Sequence, residues 1–442
     1  MTDLTVQSNV QPAPLNAGQL AASTGFFEFL FRDDQREMII SGPGGVGKTH
    51  LMASIADDIM PRYFSTCNMM GIPPEYTEVN MTATTNKAAD VLATAVKRPT
   101  TTVQSFLNLK VKDDYKTGQS FLEPTSNWFV HEKKILFIDE CSMIDSPLRG
   151  YIQKGTHKTK IVYVGDHCQL SPIKEKISPI YADDLPFFEL TEPMRTSNPH
   201  LQALNNQLRQ TVETGEFKPI QMVPGTIDYL DENLLQEGLE YMFMEQNSQF
   251  RVLAYTNDRV IRYNDHIRTM RNLPDEYTVG EILVNNSAVR LKNAMIPVEA
   301  QLEITALADQ TEKHLAHEPE DLFIEIRRAT LETASGQIFE GVPLPVDKNY
   351  FLDLIKYLAR KKNWRDMYNL KNNYPDLRQR DAATTHKAQG SSYDAVIIDL
   401  ADISTCHNAD TVARMLYVAF SRARHRVFVF GQLAPKYGGI II

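Results

Sequence analysis

The chain has 442 residues, about three times the usual length of one domain, so roughly two to four packed domains are expected. Hydrophobic residues make up 43% and charged residues 23%, which argues against wholesale disorder and against a membrane protein with many spans. The 46 basic and 55 acidic residues give a formal net charge of −9, so any site for a polyanion must be a local one.

Residues 1–14 are rich in Gln, Pro and Ser, which predicts a flexible N-terminal tail and no signal peptide. The four cysteines are scattered without a C-x-x-C pair, so neither a zinc ribbon nor a disulfide framework is indicated. No apolar run reaches the length of about 18 residues that a membrane span needs. These features predict a cytoplasmic protein without a membrane partner.

Short apolar runs alternate with helical patterns from about residue 15 to 200, which is typical of parallel-sheet α/β domains. A second set of such runs begins near residues 251–255 and ends near residues 426–429. Between about residues 280 and 380 the pattern changes to alternating polar and apolar residues, which predicts an antiparallel insertion. The sequence therefore predicts two α/β cores, the second of them split.

The strongest motif is G-x-x-x-x-G-K-T at residues 42–49, between an apolar strand and a helical pattern. Its backbone would cradle phosphates, since glycines allow close approach of the N–H groups and of a helix N-terminus. The candidate nucleotide-binding residues of this loop are Gly42, Gly44, Gly45, Val46, Gly47, Lys48 and Thr49. Lys48 is expected at the β- and γ-phosphates, and the Thr49 hydroxyl is expected to bind Mg²⁺.

Two acidic residues follow the apolar run at residues 135–138. The carboxyl ends of parallel strands open onto the ligand crevice, so Asp139 is predicted to hold Mg²⁺ through water and Glu140 to polarise the attacking water. After the next apolar run, the segment GDHCQL brings Gln169 to a position where its amide can sense a γ-phosphate. An Asp-containing turn is the alternative interpretation of that segment.

Only one P-loop is present, so the second core is predicted to complete the site across a cleft. Arg195 and Arg422 are the candidates, because an arginine over the γ-phosphate stabilises the charge of the transition state. For either arginine taken alone, a structural salt bridge is the alternative.

Further segments occur in the order found in one family: LNAGQ (15–19), ATTNKAA (83–89), LTEPMR (190–195), AYTN (254–257), ATTHKAQG (383–390) and YVAFSR (417–422). With these motifs the chain resembles the superfamily-one DNA helicases of the RecD-like branch from about residue 15 onward. The resemblance implies RecA-like domain 1 at residues 15–108 and 124–200 and RecA-like domain 2 at residues 201–279 and 381–442. It also implies a small β-barrel with a basic helical extension at residues 280–380.

By resemblance, ATP binds between the two domains, with Gln19 at the adenine edge and Gly390 at the γ-phosphate. The residues that the resemblance assigns to single-stranded DNA are Thr84, Thr85, Asn257, Thr385 and His386. Such side chains can bind phosphate without selecting sequence. Gln104 stands where relatives often carry His, and it is taken as a further DNA contact. The direction of travel, 5′ to 3′, is likewise implied by the family alone.

Residues 109–123 predict a β-hairpin, since the polar turn 116–119 lies between arms with Tyr115 and Phe121. In related helicases a hairpin inserted here is the pin that separates the duplex, and Phe121 is the candidate for stacking on a base. A short surface hairpin is the alternative. The basic stretch at residues 360–365 is expected to face DNA or this hairpin.

These observations predict a monomeric DNA helicase that depends on ATP and Mg²⁺ and acts on single-stranded and forked DNA. A single-strand-binding protein is a further candidate partner. One alternative is a translocase that displaces bound proteins and unwinds little. The other is a DNA-binding or loading protein that uses ATP only as a switch.

Overall fold

The computed structural model describes residues 14–172, 175, 177–192, 198–246, 249–292 and 294–442. Two parallel sheets with flanking helices form the body of the molecule, and an antiparallel sheet interrupts the second of them. The α/β class with two RecA-like parallel sheets is thereby confirmed. The sequence-predicted tail, apart from residue 14, lies outside the described residues.

The first unit has the helices α1 (Ala17–Phe29), α2 (Lys48–Ser54), α3 (Met60–Met69), α4 (Asn86–Val96), α5 (Val103–Phe106) and α6 (Ser146–Lys154). Its strands are β1 (Glu37–Ser41), β2 (Glu78–Ala83), β3 (Thr100–Thr102), β4 (Leu109–Asp113), β5 (Ser120–Pro124), β6 (His131–Glu132), β7 (Lys134–Asp139), β8 (Thr156–His157), β9 (Lys160–Gly165) and β10 (Phe187–Glu189). The main sheet is parallel throughout, in the order β10-β1-β9-β7-β2-β3.

The apolar runs of β7 and β9 lie in the middle of this sheet, and residues 135–138 and 161–164 are fully buried. Each such side chain contributes about 1.5–3 kcal/mol through burial, so these strands are fixed in the sheet by their composition. The carboxyl ends of β1, β7 and β9 consequently meet at one edge of the sheet. The P-loop and the acidic pair lie at this edge.

The second unit begins with α7 (Pro199–Thr214), β11 (Ile220–Gln221), β12 (Ile227–Leu230), α8 (Glu232–Phe243), β13 (Phe250–Ala254) and α9 (Asn257–Met270). The insertion follows, with β14 (Ile282–Asn285), β15 (Val289–Arg290), β16 (Met295–Ile296), β17 (Gln301–His317), β18 (Leu322–Thr333), β19 (Ile338–Pro345), α10 (Lys348–Arg360), α11 (Trp364–Asn373) and β20 (Leu377–Gln379). Its main sheet is antiparallel, in the order β19-β18-β17-β14-β20.

The second unit ends with β21 (Ala382–Thr384), β22 (Tyr393–Asp399), α12 (Leu400–Ile403), α13 (Ala409–Ser421), β23 (Ala423–Phe430) and β24 (Ile440–Ile441). Its parallel sheet has the order β12-β23-β22-β13-β21, so β21 is an edge strand beside the insertion.

The two units share apolar contacts at their junction. Cys168 and Leu170 of the first unit belong to the same buried cluster as Leu201, Leu204 and Leu208 of α7 and much of α13. The segment after β9 is therefore packed into the second unit. Within the described residues, no helix has the length and apolar character needed to cross a bilayer.

Candidate active site and nucleic-acid cleft

The P-loop connects β1 to α2, and Gly47 at the helix N-cap has φ +78°, a conformation that favours glycine. The Lys48 ammonium donates hydrogen bonds to the carbonyl oxygens of Gly42 at 2.7 Å and Pro43 at 3.0 Å. The loop thus holds its own lysine at the start of a helix, the arrangement that binds phosphate.

Gln19 is buried against this loop. Its Nε2 donates to the carbonyls of Val46 and Gly47, both at 3.2 Å, and its Oε1 accepts from the Asn16 N–H at 3.0 Å. In this structure Gln19 braces the P-loop backbone, and the contact with adenine stays a prediction.

The acidic pair lies at the carboxyl end of β7, with Asp139 as the last residue of the strand and Glu140 directly after it. Burial, and then the charge of Glu140, raise the pKa of Asp139, while Lys48 opposes this shift. Glu140 has φ +53°, and its Oε2 is buried without a hydrogen-bond partner. An unpaired buried carboxylate oxygen beside the Thr49 hydroxyl and Asp139 is a donor set that fits a hard divalent cation.

A cavity of about 290 Å³ lies between the two units. The sequence-predicted residues that the structure brings together in its lining are Gly44, Gly45, Gly47, Lys48, Thr49, Asp139, Glu140, Gln169, Gly390 and Arg422. Gly42 and Val46 lie in the same loop and do not line the cavity. Arg195 lies outside the described residues.

Arg422 enters this cavity from the end of α13 in the second unit and is 2% exposed. Its guanidinium donates to the Val418 carbonyl at 3.1 Å, the Ser391 carbonyl at 3.2 Å and the Ser421 hydroxyl at 2.8 Å. Among the described residues, no carboxylate forms an ion pair with Arg422. The structure therefore does not contain the salt bridge that was the alternative interpretation of this residue. A buried cation that has only neutral acceptors carries an uncompensated charge, so an anion that enters the cavity can pair with it.

Residues that sequence analysis missed hold the loop of Gln169 from the second unit. Arg414 donates to the carbonyls of His167 at 2.7 Å and Gln169 at 2.8 Å. The Gln389 amide donates to Gln169 Oε1 at 2.9 Å and to the Ser142 hydroxyl at 3.2 Å. Gln389 stands inside a quoted motif, which was a usable signal, whereas Arg414 had no signal beyond its helix.

Asp166 is the centre of a second set of contacts across the junction. Its fully buried carboxylate accepts from Arg209 of α7 at 2.8 Å and from the Tyr417 hydroxyl at 2.7 Å. Asp166, His167 and Cys168 lie close enough to suggest a metal site, but these two contacts already occupy both oxygens of Asp166.

A larger cleft of about 680 Å³ lies where the first unit, the second unit and the insertion meet. Basic side chains dominate its charged lining: Lys87, Arg251, Arg378, Arg380 and Lys387 are joined by two acidic residues, Asp90 and Glu299. Burial opposes ionisation of Tyr393 in this cleft, yet Arg251 and Lys87 lower its pKa to about 8. This cleft is a local concentration of positive charge in a chain whose formal net charge is −9.

The predicted DNA-contacting residues take different positions. Asn257 is exposed and lines the cleft. Thr84 donates to the Glu140 carbonyl at 3.1 Å, Thr85 caps α4, and the Gln104 amide reaches the Thr84 carbonyl at 3.5 Å.

The last two predicted contacts, Thr385 and His386, follow β21. His386 is partly buried beside Tyr255, with ring centroids 6.4 Å apart. Thr385 is fully buried, and its hydroxyl donates to the Ala254 carbonyl at 3.2 Å, so the structure does not bring this side chain to a surface.

The hairpin β4–β5 is present, with Phe121 opposite Lys112 and 48% exposed. Its turn contacts the insertion: the Tyr368 hydroxyl donates to the Gly118 carbonyl at 2.8 Å, and Asn372 donates to Asp113 at 2.8 Å. Trp364 lies directly against Gly118. One end of the basic stretch therefore faces the hairpin, and its charged residues Arg360, Lys361, Lys362 and Arg365 are exposed.

Two parallel-sheet units enclose a P-loop, an acidic pair and an arginine from the opposite unit. Together these features define a two-domain P-loop NTPase of the RecA-like motor class.

Comparison with known proteins supports this class. Residues 14–221 match the family described as AAA domain, and residues 381–430 match the UvrD-like helicase C-terminal domain. The ATP-dependent DNA helicase dda of Enterobacteria phage T4 is 24% identical over 441 aligned residues, covering 90% of this chain and 95% of the relative. An uncharacterised protein of Acanthamoeba polyphaga mimivirus is 21% identical. The alignment covers 93% of this chain and 99% of that protein.

The Pif1 helicase from Bacteroides, solved with ADP-AlF3 and single-stranded DNA, has a similar fold, with a TM-score of 0.52 and 14% identity. The match covers 97% of this chain and 95% of that one. In sequence the chain therefore resembles a superfamily-one helicase of the Dda type, and in fold it resembles Pif1. Its cavity is that of a nucleotide-binding, ATP-hydrolysing P-loop enzyme.

Proposed function

We propose that this protein is a DNA helicase that acts as a monomer, moves along single-stranded DNA from 5′ to 3′ and separates the duplex at a fork, using ATP with Mg²⁺. The observation that carries the motor mechanism is Arg422, a buried cation of the second unit that lines the cavity of Lys48, Asp139 and Glu140. An arginine in that position makes hydrolysis depend on how closely the two units approach.

In the proposed cycle, Lys48 and the P-loop N–H groups bind the phosphates, and Arg422 contacts the γ-phosphate when the units close. Glu140 orients the attacking water, and Gln169 senses whether the γ-phosphate is present. Thr49 and Asp139 would hold Mg²⁺, which neutralises charge on the β- and γ-phosphates. Loss of phosphate removes the anion that Arg422 contacts, so the cleft is free to open.

The hairpin supplies the proposed separating element. Phe121 is exposed and can stack on a base at the fork, and the contacts with Tyr368 and Asn372 hold the hairpin against the insertion. A wedge must be rigid to convert translocation into strand separation.

The test measures ATPase activity with and without single-stranded DNA. It also measures unwinding of duplexes that carry only a 5′ tail or only a 3′ tail. We expect stimulation by DNA and unwinding of the 5′-tailed substrate. Unwinding of the 3′-tailed substrate alone would contradict the proposed direction.

Three variants separate the proposal from its alternatives. Lys48→Ala and Glu140→Gln should abolish unwinding, whereas a loader that uses ATP as a switch would retain activity with ATP bound to Glu140→Gln. Phe121→Ala should lose unwinding and keep DNA-stimulated ATPase. If Phe121→Ala unwinds normally, the hairpin is not the separating element, and a translocase that displaces bound proteins becomes the better account.

A further inference from the structure

Two buried arginines, Arg251 and Arg380, line the larger cleft. Arg251 is the second residue of β13, Arg380 lies two residues before β21, and each is 7% exposed. In the part of the chain that the structure describes, neither forms an ion pair with a carboxylate, and the Nε atom of each is buried without a hydrogen-bond acceptor. Asp381, the neighbour of Arg380, is already held by Arg271 at 2.7 and 2.8 Å.

The two guanidinium groups also lie close enough to affect each other. Burial, and then the charge of Arg251, lower the pKa of Arg380, while the Asp381 carboxylate opposes this shift. The Arg251 guanidinium lies 4.8 Å from the ring centroid of Tyr393, which satisfies part of its surface without neutralising its charge. Two buried like charges without a carboxylate are unfavourable until an anion enters.

The surroundings fit a nucleic-acid strand better than a small free anion. The cleft is open, and its walls come from α4 of the first unit, α9 of the second and two segments of the insertion, residues 297–301 and 333–337. Asn86 and Asn257 add amide groups at its sides, and Lys387 also lines it, with its ammonium donating to Asn286. An open cleft lined by cations and by neutral polar groups suits a polyanion.

We propose that Arg251 and Arg380 bind backbone phosphate of the single strand on which the enzyme moves. The inference rests on the proposed function and adds to it a phosphate site outside the recognised motifs. Because the site is built from all three parts of the molecule, the grip on the strand depends on their relative positions.

The test measures binding of a fluorescently labelled oligo(dT) by anisotropy over a range of salt concentrations. Arg251→Gln and Arg380→Gln should each weaken binding about tenfold. Each should also reduce the slope of log affinity against log salt by about 0.7, the value for one phosphate of a single strand. Arg380→Lys keeps the charge and should recover most of the affinity and the slope. Arg98→Gln, at a surface arginine outside the cleft that is paired with Asp57, is the matched control.

Thermal melting distinguishes phosphate binding from a structural role. Without DNA, Arg380→Gln should melt at or above the wild-type temperature, because it relieves repulsion from Arg251, and oligo(dT) should stabilise the variant less than the wild type. A lower melting temperature together with wild-type affinity and salt slope would overturn the inference. If the wild-type protein itself binds no oligo(dT) and its ATPase is not stimulated, the proposed function fails and the inference fails with it.

Discussion

At the residue scale, Arg422 combines deep burial with three acceptors that are all neutral among the residues the structure describes, which is unusual for a side chain that is always charged. We expect Arg422→Gln to lower the kcat for ATP hydrolysis by about 10³-fold or more, because an arginine that stabilises phosphoryl transfer contributes that much. The KM for ATP should change little, and the melting temperature should not fall. Arg424→Gln, at an exposed site paired with Asp394, is the control. A large loss of stability with nearly normal kcat would assign Arg422 a structural role.

Tyr393 gives the cleft a dependence on pH. Its pKa is lowered to about 8, so the phenol is neutral at pH 7 and ionised at pH 9. The ionised oxygen competes with phosphate for Arg251 and Lys87, so affinity for single-stranded DNA should fall as pH rises through 8. Two carboxylates, Asp90 and Glu299, line the same cleft, and burial raises the pKa of Asp90.

Tyr393→Phe tests this dependence, since it should flatten the affinity profile between pH 7 and 9. Tyr241→Phe changes a tyrosine that is 86% exposed on α8 and serves as the control. Equal profiles for wild type and Tyr393→Phe would contradict the prediction.

At the element scale, the hairpin β4–β5 depends on one glycine. Gly118 has φ +72°, and a methyl group there would lie 2.6 Å from the ring atoms of Trp364. Gly118→Ala should push the hairpin from α11 and reduce unwinding of forked DNA severalfold, with DNA-stimulated ATPase retained. Gly71→Ala is a matched control, because Gly71 has φ +68° and open space around it. Equal unwinding by both variants would show that the contact of Gly118 with Trp364 is not needed for strand separation.

The elements also indicate which features a sequence can reveal. The P-loop, the acidic pair and the hairpin are local, so short spacing and flanking apolar runs predict them. The contact of Gly118 with Trp364 and the pairing of Asp166 with Arg209 join distant parts of the chain, and no local pattern encodes them. Arg251 and Arg380 were missed for the same reason, because their isolation from carboxylates is a property of the assembled cleft.

At the scale of the whole molecule, Asp166 links the two units through Arg209 and Tyr417. Arg209→Met leaves the buried carboxylate without its cation and should cost about 3 kcal/mol in the free energy of unfolding. Asp166→Asn combined with Arg209→Met should recover part of that loss. Chemical denaturation and calorimetry each measure the free energy of unfolding of these variants. Additive losses in the double variant would exclude a direct pair.

The apolar junction has a consequence for dissecting the protein. Cys168 and Leu170 cover an apolar face formed by α7 and α13. A fragment that begins at residue 198 would therefore expose that face to water. Such a fragment is expected to aggregate unless the missing half is supplied in trans. Two halves produced together should associate through the same apolar contact.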